Sequence, residues 1–262
     1  QVGNVDNLSE KHRGWLARYG IEGAGWSYRQ WDRVPGDQYK RFGVETSGAT
    51  ALEDFRHEPN LHGYVTEVDP FRPTQKPRVR TGFGRFSHEG AWVAPVQEGA
   101  PIVIYTGDDS RREYMYKFVS KAAWSEADRN GGLSAGDKYL DEGTLYVAVF
   151  NDDGTGAWKA LSTANMDLAG THSYDDNGTV YQYNFASDAE VLASARLAAD
   201  VVGATPMDRP EWATVHPNTG DVYLTLTNGN SSNRPSTDLD GANPRAVNSN
   251  GHIIRWREEA GD

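Results

Sequence analysis

The sequence predicts an all-β chain built from β-propeller blades. Three observations predict it. Short alternating segments recur from residue 62 onward, glycine-containing turns cut them apart, and one segment headed by a glutamate occurs twice. With Gly 28 and Pro 12 in 262 residues, the composition favours many turns over long helices. An aromatic content of 11% supplies the anchors of a packed core.

The elements follow in order. Ser9 is a candidate N-cap for a short helix ending near Tyr19, with Gly20 as its stop. Glu22 to Glu58 has no period and reads as loop, with a helical turn near Ala51–Phe55. The segment His62–Pro70 alternates as a strand does. Further strands are expected at Ala91–Ala94, Pro101–Thr106, Tyr114–Val119, Thr144–Phe150, Trp212–His216, Val222–Thr227 and His252–Arg257. Asp153-Gly154, Asn177-Gly178 and Asn218-Thr219-Gly220 mark turns between strands. One helix interrupts the series: Ser187 and Glu190 form a capping box, Ala189–Val202 is rich in helix formers, and Gly203 closes it. Its apolar face is Val191, Ala195, Ala198 and Val202.

The repeat sets Glu89-Gly-Ala-Trp-Val93-Ala-Pro95 against Glu211-Trp-Ala-Thr-Val215-His-Pro217. A glycine, an aliphatic–aromatic strand and a polar end at Asp108 or Asn228 follow each copy. Gly-led strands recur at Gly63, Gly143 and Gly251. Such units are the mark of a propeller, the alternative being a β-sandwich. The chain therefore reads as one propeller region over 1–262, incomplete as a ring. Residues 1–60 are an irregular lead-in, 61–262 carry blades, and a helical insertion lies at about 187–203. Val93, Ile102, Ile104, Val147, Val215, Val222, Leu224 and Ile254 are the expected contacts between sheets. An incomplete ring leaves faces uncovered, so a second chain or further blades are expected beside it.

The formal net charge of −11 disfavours nucleic acid and anionic membrane surfaces, and is compatible with hard cations as well as with plain solubility. Cysteine is absent, which excludes disulfides, thiolate zinc sites and iron–sulfur clusters built from these residues. No apolar run approaches the length of a membrane span, and the N-terminal residues carry no signal-peptide pattern.

Chemistry concentrates in two places. In a propeller, Glu89 and Glu211 stand before innermost strands and point toward the central channel. Carboxylates aimed at one axis repel unless a cation neutralises them, although a lone Glu is more often a cap or a solvated residue. Gly107-Asp108-Asp109-Ser110 with Glu113 suits calcium or another hard ion, or simply a turn. Arg209, two residues before Glu211, offers a fork for phosphate or carboxylate, or a surface ion pair. Pro210 biases Arg209 toward an extended backbone. Glu89, Glu211 and Asp108 are expected to converge, with Arg209 facing them and with raised carboxyl pKa values where no cation balances them.

Other candidates read as structure. Asn243-Pro244-Arg245 with Asn248, Gly251 and His252 reads as a turn. Asn151–Gly156 resembles a calcium loop but has Ser162 at the twelfth position, so it reads as a hairpin. Gly132-Leu133-Ser134-Ala135-Gly136 fits a nucleophile elbow, but a turn precedes it and it reads as a loop. No zinc-binding or phosphate-loop spacing occurs.

Several of these segments, taken in order, resemble the PhoX-type alkaline phosphatases. They are His88-Glu89-Gly90-Ala91, Gly107-Asp108-Asp109 with Glu113–Val119, Gly143–Phe150, Met207-Asp208-Arg209-Pro210-Glu211-Trp212, and Asn243-Pro244-Arg245 followed by Gly251–Trp256. The resemblance runs from about Tyr19 to Trp256. It implies a β-propeller and an iron–calcium cluster near the axis that hydrolyses phosphomonoesters. By the same resemblance, Glu89 and Glu211 are cluster ligands, Asp108 a calcium-side ligand with Asp109 beside it, and Arg209 a phosphate-binding residue. It further implies a bacterial periplasmic or secreted setting. The family's cluster also uses a thiolate in a Cys-Glu-Glu segment, which this chain lacks, and family members are longer. The chain is thus expected to be a fragment or a reduced relative. The rival reading is a non-catalytic, calcium-binding propeller segment that packs with other blades or a partner.

Overall fold

The computed structural model describes residues 8–20, 46–229, 234 and 237–259. It begins with helix α1 (Glu10–Arg18), capped by the Ser9 hydroxyl, which accepts from the His12 amide. The lead-in continues irregularly from residue 46; the part of the expected loop at 21–45 lies outside the described residues. The helical turn expected near Ala51–Phe55 is a reverse turn closed by the Glu53 amide on the Thr50 carbonyl.

The strands are β1 (Val65–Glu67), β2 (Arg78–Arg80), β3 (Trp92–Val93), β4 (Pro101–Gly107), β5 (Arg111–Glu113) and β6 (Met115–Ala123). Helix α2 (Leu133–Tyr139) precedes β7 (Gly143–Phe150), β8 (Gly156–Ala160), β9 (His172–Asp176) and β10 (Thr179–Tyr183). Helices α3 (Asp188–Ala193) and α4 (Ala195–Val201) lead to β11 (Met207–Asp208), β12 (Pro210–Val215), β13 (Val222–Leu226) and β14 (His252–Trp256). All pairings are antiparallel. The largest sheet runs β3-β4-β6-β7-β8 and the next β12-β13-β14; β1-β2, β9-β10 and β5-β11 are two-stranded. The chain is all-β with short inserted helices, and its five- and three-stranded sheets stand as blades of a partial propeller. None of the described sheets closes on itself.

The five-stranded sheet is buried on both faces because its strands place apolar residues at both parities. Ile102, Ile104, Tyr116, Phe118, Leu145 and Val147 face a core shared with Trp15 of α1, Val191 of α3 and Leu197 of α4. Tyr105, Met115 and Ala148 face the other way, against Ala213, Val222 and Leu224 of the three-stranded sheet. A fully buried Leu145, Val147 or Leu197 each contributes about 1.5–3 kcal/mol. Of the expected inter-sheet contacts, Ile102, Ile104, Val147, Val222 and Leu224 are buried, while Val215 and Ile254 are half-buried. Val93 is not buried: β3 is a two-residue edge strand, and Val93 is 56% exposed.

Two local readings change and one, the hairpin, does not. Gly132–Gly136 is not a loop but the start of α2, entered through Gly132 at φ 57°. It still lacks the preceding strand of a nucleophile elbow. The Asn151–Gly156 segment is the β7–β8 hairpin turn, with Phe150 opposite Gly156. The helix after Ser187 keeps its cap but breaks at Ser194. There the Ser194 hydroxyl donates back to the Glu190 carbonyl at 2.5 Å, and Arg85 takes the Leu192 and Ala193 carbonyls at 2.8 and 2.7 Å. The break aims Arg196 inward. No described helix is long and apolar enough to cross a membrane.

Helix α1 docks on β9–β10 so closely that a Cβ at Gly14 would lie 2.8 Å from the Tyr181 Cβ. His12 on this helix packs edge-on to His57, ring centroids 4.6 Å apart. Burial, with His57 and Lys11 adding to it, lowers its pKa from 6.5 to about 4. The unfolded chain then binds the extra proton between those values, so stability rises with pH across that window and is lost as pH falls toward 4. Urea midpoints at pH 4.5 and 7 check this: His12→Gln should shrink the difference seen in the parent protein.

Candidate metal centre

The centre forms where the end of β4 meets the start of β12. At Gly107 a Cβ would lie 2.5 Å from the Pro210 carbonyl oxygen and 2.9 Å from that of Glu211. Only glycine permits this approach. Past Gly107 the chain turns: the Ser110 amide donates to the Asp108 carbonyl at 2.7 Å, and the Asp109 amide to the Ser87 carbonyl at 3.0 Å. The Glu89 amide donates to the Gly107 carbonyl at 3.2 Å, and His88 and Asp108 form an isolated bridge. These bonds put Glu89 and Asp109 side by side.

The second half comes from the β11–β12 junction. Arg209 sits between the strands at φ 59°, in the left-handed region, although Pro210 follows it. This replaces the expected extended backbone. The flanks impose it: the Arg209 amide donates to the Met207 carbonyl at 3.0 Å, and its own carbonyl accepts from the Thr227 amide at 3.1 Å. Such conformations cost of the order of 1–3 kcal/mol and collect at functional sites. The register of β12 against β13 then shifts between Pro210 and Ala213, a bulge that carries Glu211 and Trp212. Bulges re-aim side chains beside active sites.

The result is a cluster of three acids. One carboxylate oxygen from each of Glu89, Asp109 and Glu211 lies within 4.8 Å of the others. An Nη2 of Arg209 donates to Asp109 Oδ2 at 2.9 Å. The other oxygen of Asp109, Oδ1, is buried without a hydrogen-bond partner. Burial raises the Asp109 pKa against the pull of Arg209, and Glu211 and Asp108 add to the rise. An orphaned buried oxygen among converging carboxylates fits a hard cation, since oxygen ligands from three acids are what calcium and similar ions take.

The structure brings together four of the five residues singled out from sequence: Glu89, Asp109, Arg209 and Glu211. Asp108, expected among the ligands, is placed elsewhere. Fully buried, it receives Arg196 Nε at 2.8 Å on Oδ2 and Arg196 Nη2 at 2.7 Å on Oδ1. Neighbours in an extended turn point to opposite sides, so only one of the adjacent aspartates can face the cluster. Behind Asp108 the charges continue. Glu113 lies 3.5 Å from Arg196 and is gripped by Arg18 at 2.6 and 3.0 Å, and Arg18 also holds Asp200. Burial pushes the Glu113 carboxyl up to about 7 against the pull of Arg18.

Sequence reasoning missed Arg196 and Arg234. Arg196 stands in the run Ala195–Ala199, where one charge among small apolar residues was the available signal. Arg234 donates from Nε to Asp208 Oδ1 at 2.6 Å, directly behind Arg209. The segment with Asn243 and Asn248 is the expected turn. It serves the same aspartate, with Asn248 Nδ2 donating to Asp208 Oδ2 at 3.2 Å.

The family model of Alkaline phosphatase PhoX matches residues 17–262. The structure is similar to that of Pseudomonas fluorescens PhoX in complex with vanadate, a transition state analogue. The TM-score is 0.74 and the sequence identity 36%; the match covers 100% of this chain and 41% of that one. No curated protein matches.

The approach at Gly107 is testable. Gly107→Ala should force β4 and β12 apart and cost about 1–3 kcal/mol, the range of an overpacked contact. Urea unfolding measures the loss, and an unchanged midpoint would mean that the two strands give way freely.

Proposed function

Because the chain belongs to the alkaline phosphatase PhoX family, we propose that it carries the cation-holding and phosphate-holding part of a phosphomonoesterase centre. The observation that supports this most is the convergence of Glu89, Asp109 and Glu211 on one point, with Asp109 Oδ1 unpartnered and Arg209 seated on the same cluster. The three carboxylates would hold the metal, calcium with iron by the family resemblance. When bound, the metal supplies Lewis-acid polarisation of a phosphoryl oxygen and charge neutralisation.

The chain's own residues do the rest. Asp109 holds Arg209 at the edge of the acid cluster, and the planar guanidinium presents further N–H donors in a fork that matches phosphoryl oxygens. Arg209 thereby binds and orients the phosphate while its charge offsets that of the transferring group. The left-handed backbone at Arg209 and the bulge at Glu211 fix these side chains before substrate arrives, which lowers the cost of ordering them. A purely structural calcium site would need the carboxylates and has no use for an arginine among them. Membership of an alkaline phosphatase family also favours a periplasmic or secreted setting. The chain spans 41% of the related PhoX polypeptide, so the whole protein's activity belongs to this proposal.

Hydrolysis of p-nitrophenyl phosphate with calcium and iron supplied tests the reading. Glu211→Gln should abolish both calcium binding and turnover. Arg209→Lys should keep calcium binding and lower kcat/KM by about 10²-fold or more, as expected when a preorganised donor to the transition state is lost. Calcium affinity and turnover untouched by Glu89→Gln and Glu211→Gln would overturn it.

A further inference from the structure

Each half of the centre is preceded by an aspartate that never reaches it. Asp108 precedes Asp109, and Asp208 precedes Arg209; they are 0% and 2% exposed. Each is met by a buried arginine from a distant part of the chain, Arg196 at 6% exposure and Arg234 at 1%. A buried carboxylate must be paired, but an apolar pair of similar volume would stabilise the fold as well or better. The presence of two such buried pairs, each one residue behind a cluster residue, calls for a reason beyond stability.

The contacts supply it. Arg196 engages both oxygens of Asp108, and its Nη2 also reaches the Ser87 and Ser110 hydroxyls at 3.3 and 3.2 Å. The Ser87 amide closes the ring on Asp108 Oδ1 at 3.2 Å. One guanidinium thus ties down both sides of the turn: Ser87, two residues before Glu89, and Ser110, directly after Asp109. Arg234 works alike. It donates to Asp208 Oδ1, to the Pro206 carbonyl at 2.6 Å and to the Asp238 carbonyl at 3.0 Å, while Asn248 holds the other oxygen of Asp208. Asp208 fits only because Gly229 has no side chain: a Cβ there would lie 2.3 Å from Asp208 Oδ1. The ladder of β5 with β11, Asp208 opposite Arg111, links the two buried pairs.

We propose that Arg196 and Arg234 are positioning residues that set Glu89, Asp109 and Arg209 through the buried aspartates behind them. This rests on the cation-site reading above. A fork fixes an angle as well as a distance, and a lysine cannot reproduce it. Supporting groups of this kind typically contribute about 10–100-fold to metal affinity.

The test uses the full chain and Tb3+ as the probe. Arg196→Lys and Arg234→Lys keep the buried charge paired. They should lower the unfolding midpoint moderately, as lost buried hydrogen bonds do, and leave the chain folded under the assay conditions while Tb3+ affinity falls about 10-fold or more. Amide hydrogen exchange at Glu89 and Asp109 should quicken in Arg196→Lys, and at Arg209 in Arg234→Lys. Should a lysine variant fail to fold, the neutral pair Arg196→Gln with Asp108→Asn replaces it, and the same loss of affinity is expected. Affinity within twofold of the parent, with exchange at those amides unchanged, overturns the proposal. If Tb3+ binding in the parent is absent or is indifferent to Glu89→Gln, the cation reading fails, and local exchange in the lysine variants still decides whether the two arginines position the backbone at Glu89, Asp109 and Arg209.

Discussion

The contact of Gly107 with the backbone of Pro210 and Glu211 is the constraint on which the centre depends. It brings the end of a five-stranded blade to within backbone distance of the first strand of the next. Everything else at the site is local to one strand or the other. The turn at Asp108–Ser110 aims Asp109, and the bulge after Pro210 aims Glu211. Without the bare Cα at 107, the two halves would stand a side chain apart and the acids could not share an ion. The burial of the large sheet on both faces serves this contact by holding the blades in fixed relation through Tyr105, Met115 and Leu224.

The repeat of Glu89 and Glu211 was legible because both copies keep the same spacing to Val and Pro, and spacing is what a blade imposes. The strong strands were legible for the same reason. The weak ones were not: β5 and β11 are three and two residues long and exist only because Met207 and Asp208 lie opposite Glu113 and Arg111. The choice between Asp108 and Asp109 was beyond the sequence too. The two are chemically identical, and what separates them is an arginine 88 residues away. The left-handed Arg209 contradicts its local preference because Met207 and Thr227 fix its backbone from both sides. Local rules fail here where long-range contacts outweigh them, and those are the places where the chemistry gathers.

The charges divide by depth. Buried ones are paired in a chain from Asp200 through Arg18, Glu113 and Arg196 to Asp108. Those at the rim, Glu89 and Glu211, lie beside Asp109, whose ion pair with Arg209 brings a positive charge to their cluster. An excess of negative charge is thus concentrated at one end of the blades, within a chain whose net charge is −11. The buried layer holds three acids against two arginines, so it does not cancel the field of the rim, and the net charge of the chain adds to the attraction of cations there.

The ion pair between Arg209 and Asp109 joins residues 100 positions apart in the chain. Contacts of such separation form late, after the intervening strands and helices have paid the cost of closing the loop. A nascent or unfolded chain therefore holds its acids scattered, with no cage to capture a stray ion. On the proposed reading, a cation would enter only once the blades have docked, so that the one selected would be the one the finished geometry accepts rather than the first one met during synthesis.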